Sequence, residues 1–254
     1  MHTQKGETMN MISTVQEFLQ ALDAYFDRED MRGAGEYLRG TYALAHEHHD
    51  DRLLFSVLNE MMGYYRKTGE VERGLAAIDE GLALVLFLGI EEKVSGATAY
   101  LNAATTLKAF GMASQGLPYY EKADAIYRRE LLSHDPRIAG LCNNMALALV
   151  DMGRYREAEE RYTMALSVLE QNKGQETDIA NTYVNMAHLY EKREDYEAIE
   201  LCLMKAKEAL ERDENRNGYY AFTCRKCAPS FGYFGYFVYE KELNERADII
   251  YERH

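Results

Sequence analysis

Residues 153–165 read GRYREAEERYTMA, and this stretch decides the fold. Its residue types return after 41 positions, so that Tyr155 is matched by Tyr196 and Ala165 by Ala206. Within the stretch, apolar residues recur every three or four positions, as expected of one half-buried helix face. A fixed period of this length is typical of a repeat array.

Two ladders of residues extend the period over most of the chain. The first is a turn glycine before the second helix of each unit: Gly69, Gly111, Gly153 and Gly235, with Glu194 as the exception. The second is a small residue late in that helix: Gly81, Ala123, Ala165, Ala206 and Ala247. Five units align in this way, and a weaker sixth unit opens the chain. Because one helical hairpin cannot bury its apolar stripe alone, the units must stack on one another.

These residues resemble tetratricopeptide repeats. The best match is Gly153, Tyr155, Ala158, Tyr162 and Ala165, with Ala146 in the first helix. The usual period is about 34 residues, whereas 41 or 42 here is similar to the longer repeats of kinesin light chains and bacterial relatives. The resemblance implies an all-α, right-handed α-α superhelix of about six hairpins, formed as a single solenoid by residues 1–254. We expect repeats near 12–50, 51–90, 91–132, 133–173, 174–214 and 215–254.

Charge and hydropathy restrict the partners. The chain has 29 Lys and Arg against 42 Asp and Glu, a formal net charge of −13. Phosphate contacts need clustered basic side chains, so this excess argues against nucleic acid or an anionic membrane as a partner. The N-terminus has no apolar segment of a secretory signal, and no apolar run approaches the roughly 18 residues of a membrane span. We therefore expect a cytoplasmic protein.

Neither the cysteines nor the histidines complete a metal or catalytic motif. Cys224 and Cys227 have the spacing of half a metal or redox motif, but the repeat places both in core positions, where Cys behaves as a small hydrophobe. His46, His48 and His49 are concentrated in one stretch; a pair of them could chelate a metal, and the alternative is a capping or surface role. With no phosphate loop or nucleophile motif, we expect no cofactor, no resident metal and no enzymatic activity.

The resemblance also implies that the first helices line a concave groove. The polar residues predicted there are Asn59, Asn102, Asn143, Asn144, Asn181, Asn185 and His188. An Asn amide offers donors and acceptors together, which suits the backbone of an extended peptide. The alternative is that these amides bond neighbouring helices or water. Lys108, Arg225 and Lys226 are basic points that would attract an acidic group or a C-terminal carboxylate.

The aromatic-rich stretch 231–239 reads FGYFGYFVY. The repeat predicts that Phe231 and Phe237 fill core positions, and that the other rings do not all fit inside. An exposed aromatic patch here would be a homodimer surface or the end wall of the groove. The alternative is that the final helix, with Leu243, Ala247 and Ile250, covers it.

The predicted function is that of a non-catalytic scaffold whose concave groove binds a protein or peptide segment. Two alternatives remain open. One is a peptide-sensing regulatory protein that acts through a separate effector, and the other is a self-assembling structural protein.

Overall fold

A computed structural model describes residues 14–252, in which twelve α-helices follow one another and no strand occurs. They are α1 (Val15–Asp27), α2 (Met31–Glu47), α3 (Asp51–Thr68), α4 (Val71–Phe87), α5 (Val94–Ala109), α6 (Ala113–Glu130), α7 (Pro136–Asp151), α8 (Tyr155–Leu169), α9 (Glu176–Glu191), α10 (Tyr196–Arg212), α11 (Gly218–Tyr233) and α12 (Phe237–Tyr251). The prediction of an all-α fold with about six helix pairs is confirmed.

The predicted turn positions share one backbone conformation. Gly69, Gly111, Gly153 and Gly235 have φ between 72° and 90°, each just before the second helix of a pair. Glu194, the exception in the sequence ladder, adopts the same left-handed conformation with φ of 58°. Glycine enters this region without a steric penalty, whereas a residue with a Cβ does not. The turn geometry is therefore kept even where the glycine is not.

Six of the twelve helices within residues 14–252 begin after a residue whose side chain caps the first turn. Asp135 accepts a hydrogen bond from the backbone N–H of Arg137 at 3.0 Å, and Pro136 occupies the first turn of α7. Asp195 caps α10 in the same way by accepting from the N–H of Ala198 at 3.1 Å. Such caps satisfy N–H groups that the helix itself leaves without an acceptor.

The chain divides into two compact units, which end and begin at Phe110 and Gly111. Within the first unit α3 contacts α5, while α2 packs on α3 and α4 packs on α5. Within the second unit α7 contacts α9 and α9 contacts α11, while α6 packs on α7 and α8 on α9. Helices α7, α9 and α11 therefore form one continuous layer, which we call the first-helix face.

The core of the second unit follows the predicted alternation of small and large side chains. The small Ala146 and Ala165 and the large Tyr162 are all fully buried. Cys224 and Cys227 are also fully buried, as expected of core positions. Burial raises the pKa of the Cys227 thiol to about 12, so that the thiol stays protonated and unreactive.

An ion pair that the sequence did not predict joins α6 to α8. The Asp124 carboxylate accepts hydrogen bonds from Arg161 Nη1 at 2.7 Å and from Arg128 Nε at 2.9 Å. The Asp124 side chain is only 11% exposed. A carboxylate is retained at such a site because both of its oxygens are paired.

The prediction for Phe237 was wrong, whereas that for Phe231 is confirmed. Phe231 is 1% exposed and contacts the ring of Tyr239 edge-on, with the ring centroids 4.8 Å apart. Phe237 is 69% exposed, and Tyr196, 41 residues earlier, is 75% exposed. Each of the two is the first residue of a second helix, Tyr196 of α10 and Phe237 of α12. The first position of the second helix is therefore at the surface in these two repeats, whereas Ala113, the first residue of α6, is buried.

No helix within residues 14–252 is long and apolar enough to cross a lipid bilayer.

Candidate functional site

The two candidate asparagines of the first unit bond to each other. Asn102 Nδ2 donates to Asn59 Oδ1 at 3.0 Å, and Asn59 Nδ2 donates to the carbonyl of Phe55 at 2.8 Å. The first bond links α5 to α3, and the second holds the Asn59 side chain to its own helix. Asn59 and Asn102 therefore fit the alternative in which these amides bond neighbouring helices and not a peptide.

Two asparagines of the second unit also bridge helices. Asn143 Nδ2 donates to Thr182 Oγ1 at 2.8 Å, which links α7 to α9. Asn181 Oδ1 accepts from the thiol of Cys227 at 3.6 Å, which links α9 to α11. Both asparagines are half-buried, so their amides hold the first-helix face together from within.

Asn144, Asn185 and Lys226 form a different set, which we call the polar ladder. They lie 41 residues apart on α7, α9 and α11. Asn144 Nδ2 donates to the carbonyl of Gly140 in its own helix at 3.0 Å. Asn185 is half-buried, and neither it nor the exposed Lys226 forms a side-chain hydrogen bond or ion pair within residues 14–252. The side chains of Asn185 and Lys226 are therefore available to a ligand of the first-helix face.

His188 lies beside the polar ladder, at the C-terminal end of α9. Its Nε2 is 2.9 Å from Ser230 Oγ on α11, and its Nδ1 is 3.6 Å from a carboxylate oxygen of Glu191. The rings of Tyr233 and Phe234 lie with their centroids 5.8 and 5.0 Å from that of the imidazole. His188 is thus held by polar and aromatic neighbours.

The three predicted basic residues have different surroundings. Arg225 pairs with Asp248 of α12 at 2.7 Å, and its guanidinium carbon lies 4.6 Å from the centroid of the Tyr251 ring. Its charge is therefore partly neutralised by the second helix of its own pair. Lys108 is half-buried and lies in the first unit, so only Arg225 and Lys226 share a unit with the polar ladder.

A cleft that the sequence did not predict lies at the turns of the last two helix pairs. This turn-edge cleft has a volume of about 750 Å³, and Ile199 and Leu203 of α10 form its apolar floor. Its walls carry Tyr196, Glu200, Glu191, Tyr233, Phe234 and Tyr236. The Tyr233 hydroxyl donates to Glu191, and this bond is the main reason that the pKa of Glu191 is lowered. The aromatic-rich sequence identified one wall, but nothing in it pointed to α10 as the other.

One histidine of the cluster in the first unit, His46, belongs to a hydrogen-bond network. His46 Nε2 lies 2.7 Å from Glu80 Oε1, and the Tyr42 hydroxyl donates to Glu80 Oε2 at 2.7 Å. Burial, together with this carboxylate, raises the pKa of Tyr42 to about 12. His48 caps α2, and His49 adopts a left-handed turn conformation with φ of 52°. Over residues 14–252, no group of three His, Cys, Asp or Glu side chains is arranged to hold a metal ion.

The helix pairs and their first-helix face define a protein of the helical-hairpin repeat class. The family model of the tetratricopeptide repeat matches residues 136–212, which comprise the whole of α7 to α10. The segment is thus a tetratricopeptide repeat segment, and the family suspected from the sequence is confirmed there. No curated protein matches the sequence at a significant level.

Solved structures show the same fold. BtubC (BKLC) from P. vanneervenii is similar over 77% of this chain and 79% of its own, with 22% identity and a TM-score of 0.66. A structure of TPR-like repeats from Podosopora anserina is similar over 79% of this chain and 95% of its own, with 18% identity and a TM-score of 0.57. A Rap protein complexed with Competence and Sporulation Factor is 13% identical over 94% of this chain and 64% of its own, with a TM-score of 0.64. At these identities the similarity establishes the fold alone.

Proposed function

We propose that this chain is a non-catalytic, cytoplasmic scaffold that binds a protein or peptide segment on its first-helix face. The tetratricopeptide segment at residues 136–212 supports the general class. So does the Rap structure of the same fold, which contains Competence and Sporulation Factor. Repeat folds of this kind present extended surfaces whose exposed side chains vary independently of the core.

The polar ladder is the observation that carries the proposal. Asn144, Asn185 and Lys226 recur at one repeat position on three neighbouring helices, and the side chains of Asn185 and Lys226 have no hydrogen-bond or ion-pair partner within residues 14–252. An amide that both donates and accepts matches the alternating groups of an extended backbone. In this proposal Asn59, Asn102, Asn143 and Asn181 position the helices, while His188 borders the ligand.

Charge gives the proposed partner its preference. Lys226 would place an ammonium group at the end of the polar ladder, and Arg225 neighbours it in sequence. A carboxylate of the partner would therefore bind nearest α11. No role in this contact is proposed for Lys108, which belongs to the first unit.

The test is a paired capture from the source cell's lysate, read by mass spectrometry. The test variant carries Asn185→Ala and Lys226→Glu. The matched control carries Asn244→Ala and Lys173→Glu, which make the same changes at exposed positions away from the first-helix face. The proposal predicts partners that the wild type and the control retain and the test variant loses. Identical sets of partners, or none for the wild type, would overturn it.

A second candidate, a peptide-sensing regulator that acts through a separate effector, is favoured by the similarity to the Rap protein complexed with Competence and Sporulation Factor. It uses the same face but requires a small peptide rather than a protein partner. Fractionating the captured material by size would separate the two: a peptide that survives removal of all proteins favours the sensor.

A third candidate, self-association through the aromatic end of the chain, is favoured by exposed apolar side chains on α12. Phe237 is 69% exposed and Val238 is 84% exposed. Light scattering over a range of concentrations tests this directly. A mass that rises in the wild type but stays constant in a Phe237→Ser, Val238→Ser variant would support it, and a constant mass in both would exclude it.

A further inference from the structure

The turn-edge cleft contains a carboxylate that has lost the partner found in the preceding repeat. Glu159 and Glu200 lie 41 residues apart, at the same position of α8 and α10. Glu159 accepts a hydrogen bond from the Tyr190 hydroxyl at 2.6 Å and forms an ion pair with Arg193. The Arg193 guanidinium lies 5.7 Å from the centroid of the Tyr190 ring. In this interface an arginine from the following turn neutralises the carboxylate.

The next interface keeps the carboxylate and replaces its partners. Forty-one residues after Tyr190 and Arg193, the chain has Phe231 and Phe234. Glu200 consequently forms no hydrogen bond and no ion pair within the part of the chain that the structure describes, residues 14–252. The nine residues that line the cleft include two carboxylates and no basic side chain.

Aromatic rings surround the position that the arginine would occupy. Tyr196 is 75% exposed on the α10 side, and Tyr233 and Tyr236 are 66% and 41% exposed on the opposite side. Ring faces attract a cation, and the attraction is strongest for a flat, weakly hydrated guanidinium. The cleft thus combines a carboxylate without a counterion, exposed ring faces and an apolar floor for a methylene stem.

We propose that the turn-edge cleft binds an arginine side chain of a partner polypeptide, with the guanidinium paired to Glu200 and stacked on the surrounding rings. The contact repeats between two chains what Arg193 and Glu159 form within this one. A polypeptide is the favoured source because the internal precedent is itself a side chain on a turn. The cleft shares no residue with the polar ladder, so this proposal and the proposed function can fail independently.

The first experiment measures binding of N-acetyl-arginine amide by two-dimensional NMR, following the backbone amides of Phe234 and Gly235. N-acetyl-citrulline amide is the matched neutral ligand, and N-acetyl-lysine amide separates a guanidinium from an ammonium. We expect a Kd on the order of millimolar, as for one isolated contact, with arginine at least about tenfold tighter than citrulline and tighter than lysine. Free L-arginine should bind no more tightly than the blocked form, because its charged termini are not recognised.

Variants test which residues are responsible. Glu200→Gln should weaken arginine binding at least about fivefold by removing the charge. Phe234→Arg restores the residue found at the preceding turn and should abolish binding by occupying the site from within. Glu197→Gln is the control, since Glu197 is also exposed on α10 but does not line the cleft.

Several results would overturn the proposal. They are equal binding of citrulline, binding that survives Glu200→Gln, or no shift at about ten times the expected Kd. Much tighter binding of free L-arginine would reject the polypeptide source. The Asn185→Ala, Lys226→Glu variant should bind the arginine probe as the wild type does, which keeps the outcome independent of the first-helix face.

Discussion

Replacing Asp124 by Asn tests whether the ion pair between α6 and α8 stabilises the second unit. Asp124 accepts from Arg161 at 2.7 Å and from Arg128 at 2.9 Å, and the Asp124 and Arg161 side chains are 11% and 25% exposed. Removing the charge leaves the Arg161 guanidinium without a counterion at a poorly hydrated position. Breaking such a pair from one side costs more than the pair itself contributes.

The expected size of the effect follows from the two contacts. The bond from Arg128 is an i,i+4 pair on a half-exposed helix face and contributes about 0.5 kcal/mol. The bond from Arg161 is charge-assisted and shielded from water, so that its loss costs about 2 kcal/mol. Asn keeps one acceptor oxygen and most of the shape. We therefore expect Asp124→Asn to lower the free energy of unfolding by about 2 kcal/mol.

Urea unfolding followed by circular dichroism measures this change. The control is Glu160→Gln, because Glu160 pairs with Arg156 on the surface, where the side chains are 66% and 91% exposed. That change should cost less than about 0.5 kcal/mol. A double variant, Asp124→Leu with Arg161→Met, should lose less than the sum of its single changes. A cost of Asp124→Asn no greater than that of Glu160→Gln would contradict a stabilising role of the buried ion pair.

Three further outcomes are expected. Glu194→Gly should raise the free energy of unfolding by about 0.5–1 kcal/mol, because Glu194 has φ of 58° and glycine removes the Cβ clash; Lys192→Gly, at φ of −65°, should lower it in the same urea titration. Ala165→Leu should cost about 1–3 kcal/mol by overpacking a fully buried position, whereas Ser167→Leu on the exposed face of α8 should be nearly neutral in thermal unfolding. Burial raises the pKa of the Cys142 thiol from 9.0 to about 11. Between these two pH values the thiol deprotonates in the unfolded chain but not in the folded one. Its contribution to folding stability is therefore complete below pH 9 and is lost as pH rises through about 11. Cys142→Ala should make the decline of stability over that range shallower, and an unchanged slope would contradict this.

The sequence period predicted the turns and the small core positions because both depend on the backbone repeat. Gly153 and Ala165 are constrained by helices that approach closely, and the same constraint returns every 41 residues. Even Glu194 was assigned to the correct turn position, since its neighbours fixed the register. The position of a residue within the repeat is thus enough to predict its backbone environment.

The partners of polar side chains could not be predicted in this way. Asn143 and Asn144 are adjacent in sequence, yet Asn143 bonds Thr182 of α9 and Asn144 bonds a carbonyl of its own helix, α7. Whether an amide bonds its own helix or the neighbouring one depends on the residue that faces it on the neighbouring helix. The apolar period of one helix does not identify that residue. The same holds for Asp124, whose burial depends on two arginines that lie 4 and 37 residues away.

Both proposed binding sites lie at departures from the repeat. Lys226 replaces the asparagine of the two preceding units, and Phe234 replaces Arg193. Both changes alter charge at positions that the core does not use, so they cost little stability in a fold whose units are held by local interfaces. Each also changes what a partner would meet: an added ammonium on the first-helix face, and a carboxylate without its guanidinium in the turn-edge cleft. The repeat fixes where side chains are presented, and the exceptions to it determine which chemistry they present.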